Sequence, residues 1–332
     1  MLPTRSRNQQ GQTLVLFVLF LFVLMGAAAV VVDLGYWYVT KRQAQATADA
    51  VALAAAADLP DAAVAVSDSS GYRGRNNWQG SVDLSVSSVN SDSDTVTAHA
   101  RTTVPGFFSK VFGIDSVDVG ASATARIGSY TGWAGNLAPW TMTETDLRWG
   151  TDLDLKVVPG DQYAPGNFGA IDLIIPNKST CSQAHGANDY RDLIENNIQS
   201  CLVSIGDQLD LKTGNMAILD TALQTRGAVN NFDPNQLIGY APNGDPQLTK
   251  LDDPNIVVIP IIDKFVNGSH PVTVVDFAYF IITSWTKDHV QGRFVKTGAP
   301  GGRICPTTPG GQQLCPVGGY DPNGISVIQL VG

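Results

Sequence analysis

The chain has 332 residues, enough for about two domains and a sizeable core. Charged residues make up only 15% of it, and 21 Lys and Arg against 30 Asp and Glu leave a net charge of -9. That balance excludes roles that depend on neutralising phosphates, so no nucleic-acid partner is expected, and a hydrophobic content of 44% excludes a polytopic membrane protein.

The first twelve residues carry Arg5 and Arg7 and no acidic residue, and read as a cytoplasmic leader. Leu14 to Val32 is then an unbroken run of 19 apolar or small residues, including Leu14, Phe17, Leu21 and Leu24. As a helix it is about 28 Å long, close to the hydrocarbon thickness of a bilayer. It has no polar face, unlike a buried core helix. It is also longer than the core of an ordinary cleaved signal, and the pattern continues past Ala27-Ala28-Ala29. A single membrane span with a cytoplasmic N-terminus and an extracytoplasmic C-terminal region is the expectation.

The helical pattern does not stop at the membrane. From Asp33 to Asp58 no Pro appears, and only Gly35 interrupts helix formers. Ala44, Ala48, Val51, Ala52 and Ala55 form a small-residue stripe at helical spacing, which suits close packing on the chain's own globular part or on a neighbouring helix. Tyr36, Trp37 and Tyr38 fit an aromatic belt at the headgroups. One helix over 13–58, ended by Pro60, is therefore predicted. Asp33 at the membrane boundary reads as a wet helix residue, with pairing to a partner helix as the alternative.

Residues 59–130 predict a small α+β domain. Ser81–Ser88 and Thr95–Val104 alternate, and Asn90-Ser91-Asp92-Ser93-Asp94 between them reads as a hairpin turn. The one-three-five spacing of Asn90, Asp92 and Asp94 resembles a calcium loop, but Thr95 and Arg101 stand where Gly and Glu would be needed. Phe107, Phe108, Val111 and Phe112 fit one face of a short helix, and Ser116–Ile127 alternates again.

The rest, 131–332, predicts a larger mixed α/β-rich extracytoplasmic domain. Strands are expected at 153–158, 170–175, 256–262, 272–282 and 293–295, and helices at 189–199 and 216–224. The overall class is α+β, with a long N-terminal transmembrane, pilin-like helix and no strict βαβ alternation. Cys181, Cys201, Cys305 and Cys315 all lie in this region. An even count outside the cytoplasm points to disulfides. Three pairings are open, of which Cys181–Cys201 and Cys305–Cys315 close the shortest loops. His99, His185, His270 and His289 are scattered, and neither H-E-x-x-H, G-x-S-x-G, a P-loop nor G-x-G-x-x-G occurs. No catalytic, cofactor-binding or metal-binding residue is expected.

Several of these residues carry a resemblance. Gly11-Gln12-Thr13-Leu14-Val15, the apolar span, Val32-Asp33-Leu34-Gly35, Tyr38, Lys41-Arg42-Gln43 and Ala48-Asp49-Ala50-Val51-Ala52-Leu53-Ala54 resemble the TadE/TadG-like family of Flp (tight adherence) pilus-assembly proteins. The likeness continues more loosely through Val104-Pro105-Gly106-Phe107-Phe108, Phe112-Gly113-Ile114 and Ala121–Ala125. It implies a membrane-anchored, non-enzymatic component of a Flp (Tad-type) pilus whose partners are the bilayer and other proteins of that machinery. Pilin-like members resemble prepilins, and Gly11 fits the Gly that precedes a prepilin-type cut, with Gln12 as the first residue after it. Prepilins carry Glu as the fifth residue after the cut, whereas here that residue is Leu16. The departure favours an uncleaved accessory protein over a polymerising subunit. An anchored adhesin and, behind it, an anchored hydrolase are the rival readings. They would reveal themselves by saturable ligand binding of 131–332 and by paired carboxylates in a cleft.

Overall fold

A computed structural model of the chain describes residues 10–67, 71, 74, 76–135, 137–156, 167–173, 175, 187–196, 202–213, 219–240, 246–266, 268, 270–286, 289–295, 317–322 and 324–331. The fold is α+β, a long apolar helix followed by sheet-rich structure with a few helices. It divides into two compact units. One comprises Met1–Val86, Thr95–Ala125 and Leu330–Gly332, and the other Ser87–Asp94 and Arg126–Gln329.

The first unit is organised by helix α1, Gln10–Ala56, whose 47 residues make a rod about 70 Å long. No Pro falls within it, and the first Pro after it is Pro60. Helix α2, Ala62–Ser67, follows, with the Asp61 carboxylate accepting from the backbone N–H groups of Ala63 and Val64 at 3.1 Å. Strands β1 (Ser81–Ser87), β2 (Thr95–Pro105) and β3 (Ser116–Ser129) lie in that order in one sheet. The upper half of α1 packs on β2. The interface is made of small side chains. Ala44, Ala48, Val51, Ala52, Ala55 and Ala56 of the helix are buried, as are Val96, Ala98, Ala100, Ala123 and Ala125 of the strands. Small residues at helical spacing let a helix backbone approach a sheet closely. The Val331 N–H donates to the Thr124 carbonyl at 2.8 Å, tying the end of the chain to β3.

The second unit includes the turn 88–94. There the Asp94 carboxylate accepts the backbone N–H groups of Val89, Asn90 and Ser91 at 2.9, 2.7 and 2.9 Å. Asp94 thus serves as a turn-former, the local role that an Asx side chain favours. The unit then contains β4 (Gly132–Trp133), β5 (Met142–Thr143), β6 (Asp152–Lys156), β7 (Asn167–Ile171), α3 (Ala187–Asn196), β8 (Val203–Ser204), β9 (Gln208–Thr213) and α4 (Leu219–Arg226). It closes with β10 (Ile238–Tyr240), β11 (Pro246–Leu248), β12 (Ile256–Ile262), β13 (Pro271–Trp285), β14 (Val290–Val295) and most of β15 (Ser326–Leu330).

Its main sheet runs β5-β12-β13-β14-β6, antiparallel except for the β5–β12 pair, and β9 joins β13 to β7. Every residue of β12 is buried, which explains why 256–262 reads as a continuous apolar run rather than an alternation. Ile256, Val258 and Ile262 face a core with Trp133, Leu209, Tyr279 and Ile281. Val257, Ile259 and Ile261 face the opposite one, with Trp140, Phe280, Phe294 and, from α3 and α4, Tyr190, Ile194 and Leu223. Arg226 closes α4 by donating to the carbonyls of Ile194, Pro254 and Ile256, so the half-buried guanidinium is satisfied.

Candidate functional site

Three features of the first unit lie along α1 in order. The lowest is the apolar segment. Leu14, Phe17, Leu21, Leu24 and Val32 are all exposed, and the 18-residue window at its heart has none of its residues buried within the chain. Water does not tolerate so large a contiguous apolar surface. The helix is long and apolar enough to cross a membrane. Gly11 and Gln12 lie in its first turn.

Immediately above the apolar run stands Asp33. Its side chain is 2% exposed, so it is not the wet residue expected at a helix surface. One carboxylate oxygen accepts the Phe107 N–H at 3.2 Å, and the other accepts the N–H groups of Phe108 and Ser109 at 3.0 and 2.7 Å. The partner is thus within the chain, not on another helix. These amides open a 3-10 turn, Ser109–Phe112, that no side chain of its own caps. Charge-assisted bonds of this kind leave a carboxylate fully satisfied away from water.

The turn is itself tightly drawn. The Gly106 N–H donates to the Asp115 carbonyl at 2.9 Å and the Ile114 N–H to the Ser109 carbonyl at 3.1 Å. A Cβ on Gly106 would lie 2.8 Å from the Ile114 carbonyl oxygen and closer still to Ser109, so the crossing requires glycine. Gly113 sits at φ +80°, in the left-handed region that ends such turns. The ring of Phe107 packs 5.6 Å from that of Tyr36, one helical turn above Asp33.

Higher still, Lys41 donates to the Gly120 carbonyl and Gln45 to the Ser122 carbonyl, the latter at 3.2 Å. The pairings rise together, with Asp33 at 107–109, Lys41 at 120 and Gln45 at 122. β3 therefore climbs the helix away from the apolar segment, and the turn 106–115 is the end of the sheet nearest to it. Above Gln45 the seam of Ala48, Ala52 and Ala55 is covered, as is Ala44 just below it. Leu34 is exposed, and a Cβ on Gly35 would meet nothing within 4 Å, so packing within the chain does not demand glycine there.

In the second unit the ionisable group that stands out is Asp276 on β13. It is 5% exposed, inside the core rather than in an open cleft. Burial pushes its carboxyl up to about 7, opposed by the Phe277 N–H at 2.7 Å and reinforced by the charges of Asp321 and Glu144. Among the described residues no group of three or more His, Cys, Asp or Glu could hold a metal ion. Cys181, Cys201, Cys305 and Cys315 lie outside the described residues.

The molecule is thus of a definite class, a sheet-rich α+β protein with, among the described residues, one candidate membrane helix. The Tad family model, described as "Putative Flp pilus-assembly TadE/G-like", matches residues 11–58. The match takes in the apolar run, Asp33 and the small-residue seam, and ends before the sheet begins. No curated protein and no solved structure matches the chain.

Asp33, the span and the seam were visible in the sequence as positions. The amides that Asp33 holds were not, because 74 residues separate Asp33 from the nearest of them. The one available hint was an acidic residue at the edge of an apolar span, where an unpaired charge is costly.

Proposed function

We propose that this chain is a membrane-anchored, non-enzymatic structural or assembly component of a Flp (Tad-type) pilus. Leu14–Val32 crosses the cytoplasmic membrane, Arg5 and Arg7 keep the N-terminus inside, and the sheet-bearing regions stand outside. One observation carries the reading. The residues matched by the Flp pilus-assembly model include the long segment that, among the described residues of the first unit, the chain leaves uncovered. Such a segment requires lipid or other helices around it, and a pilus machinery in the membrane supplies both. Asp33 then marks the point where the helix leaves the hydrocarbon, held by the chain's own amides.

The test is to delete the gene in its own cells, restore the full chain, count pili and take the intact mass of the protein from the membrane fraction. Loss of pili on deletion, recovery on restoration and a membrane-bound protein are expected. A mass starting at Met1 or Leu2 identifies an anchored accessory protein, and one starting at Gln12 a processed subunit. A soluble protein starting near Val30, with pili unaffected, would overturn the proposal.

A further inference from the structure

The turn that Asp33 holds is itself unusual. Within eight residues it exposes five large apolar side chains, Phe107, Phe108, Val111, Phe112 and Ile114, with Val111 at 85% and Phe112 at 70%. Nothing in its geometry suggests a segment awaiting a core. Its ends are closed by Gly106 and Asp115, its middle by the Gly113 N–H donating to the Lys110 carbonyl at 3.0 Å, and its first amides by Asp33. A rigid turn with an apolar rim is built to be covered by something outside the chain.

Its position identifies the cover. Asp33 is the residue directly after Val32, so the clamp lies about 1.5 Å along the helix from the end of the apolar run. The rising pairings of Asp33, Lys41 and Gln45 make the turn the end of the sheet nearest the apolar run. Phe107 packs against Tyr36 with the rings tilted by 59°, in the stretch of α1 that carries the aromatic residues. Exposed Lys110 stands in the same turn, as a cation beside a headgroup phosphate would.

We propose that the turn Phe107–Ile114 inserts its apolar rim into the interfacial layer of the lipid bilayer beside α1, a second membrane contact made by the same chain. The proposal rests on the reading that Leu14–Val32 spans that bilayer. The continuity between the exposed apolar surface of the span and that of the turn is what favours lipid over a protein partner. Interfacial elements of this kind sit about 5–10 Å deep, at the headgroup and acyl boundary. Two contacts on one chain fix its tilt and height, where a lone helix leaves both free.

The experiment uses the full chain in nanodiscs of phosphatidylcholine and phosphatidylglycerol doped with a lipid carrying a diazirine on its acyl chain. After illumination, adducts are mapped by mass spectrometry. Adducts in both 14–32 and 107–114 are expected. A Val111→Ser, Phe112→Ser variant should lose about tenfold of the turn adducts and keep those of the span. Amide exchange of Phe108 and Ser109 in that variant should match the parent, which shows that the clamp is intact. Adducts in the span alone would overturn the proposal and leave the anchor standing. Adducts in neither segment would remove the anchor reading and the proposal with it. An amine-reactive bifunctional crosslinker added to the same nanodiscs that joins two chains through Lys110, with no lipid adducts in the turn, would assign the rim to a second copy of the chain and overturn the lipid assignment.

Discussion

The two units solve opposite packing problems. Among the described residues the largest fully buried side chains, such as Trp133, Trp140, Phe277, Phe280 and Phe294, belong to the second unit. The first unit buries mainly Ala and Val, with Leu59 and Trp78 as larger exceptions, and turns Leu, Phe and Ile outward along 14–24 and 107–114. Large apolar residues inside and polar ones outside is the arrangement that water imposes. The first unit inverts it, which is sensible only where the surroundings are themselves apolar. Two of the buried carboxylates, Asp33 and Asp276, are held differently. Asp33 is held by three amides, whereas Asp276 has one amide and two acidic neighbours, and its carboxyl is driven toward the neutral form.

The comparison can be broken at several points. The largest effect is expected from truncating the second core. Phe280→Ala should lower the stability of the second unit by about 3–5 kcal/mol, read by denaturant unfolding of the full chain in detergent. Leu21→Ala, a truncation of an exposed side chain in the first unit, should leave the unfolding midpoint unchanged. An equal loss from both would mean that Leu21 is packed within the chain.

Next comes pH. Asp276 ionises near 7 in the folded chain and near its ordinary 3.8 in the unfolded one. Between these values the folded state keeps a proton that the unfolded state has lost, so stability falls as pH rises from about 4 to about 7 and levels beyond. The upper bound on the fall is about 4 kcal/mol. Asp276→Asn should flatten that slope, as measured by unfolding midpoints across the range. A slope unchanged in the variant would place the titration elsewhere.

Overpacking of the seam should cost somewhat less. Ala52→Leu forces a larger side chain between α1 and β2 and should destabilise the first unit by about 1–3 kcal/mol, while membrane partition stays the same. If Ala52→Leu instead left the fold intact and disturbed assembly with other proteins, the seam would be an intermolecular surface. The smallest effect belongs to the clamp. Asp33→Ala should speed amide exchange at Phe107, Phe108 and Ser109 about tenfold without melting the sheet. Unchanged exchange there would show that the turn holds itself.

How much of this was legible beforehand depends on the range of the signal. Strand β12 coincides with the apolar run 256–262, and β1 and β2 bracket the Asx-rich turn that separates them in sequence. β9, at 208–213, escaped notice because its alternation is short and its value lies in bridging β13 and β7, neither of which is near it in the chain. The spacing of Phe107, Phe108, Val111 and Phe112 fits one face of a short helix, whether packed inward or turned outward. The structure turns it outward, and no periodicity distinguishes the two.

The sequence by itself therefore determined the local matters. These are the length of the apolar helix, its continuation into a small-residue seam, and the alternation of the strands, all consequences of side-chain size and polarity repeated at 3.6 or 2 residues. Only the tertiary structure decided which surfaces meet. It placed the seam against β2 rather than another helix, set Asp33 on the amides of 107–109, and left the phenylalanines of that turn facing out near the end of the apolar run. Those outcomes come from pairings between distant residues, whose energies depend on closure of the whole unit and leave no periodic trace in the chain.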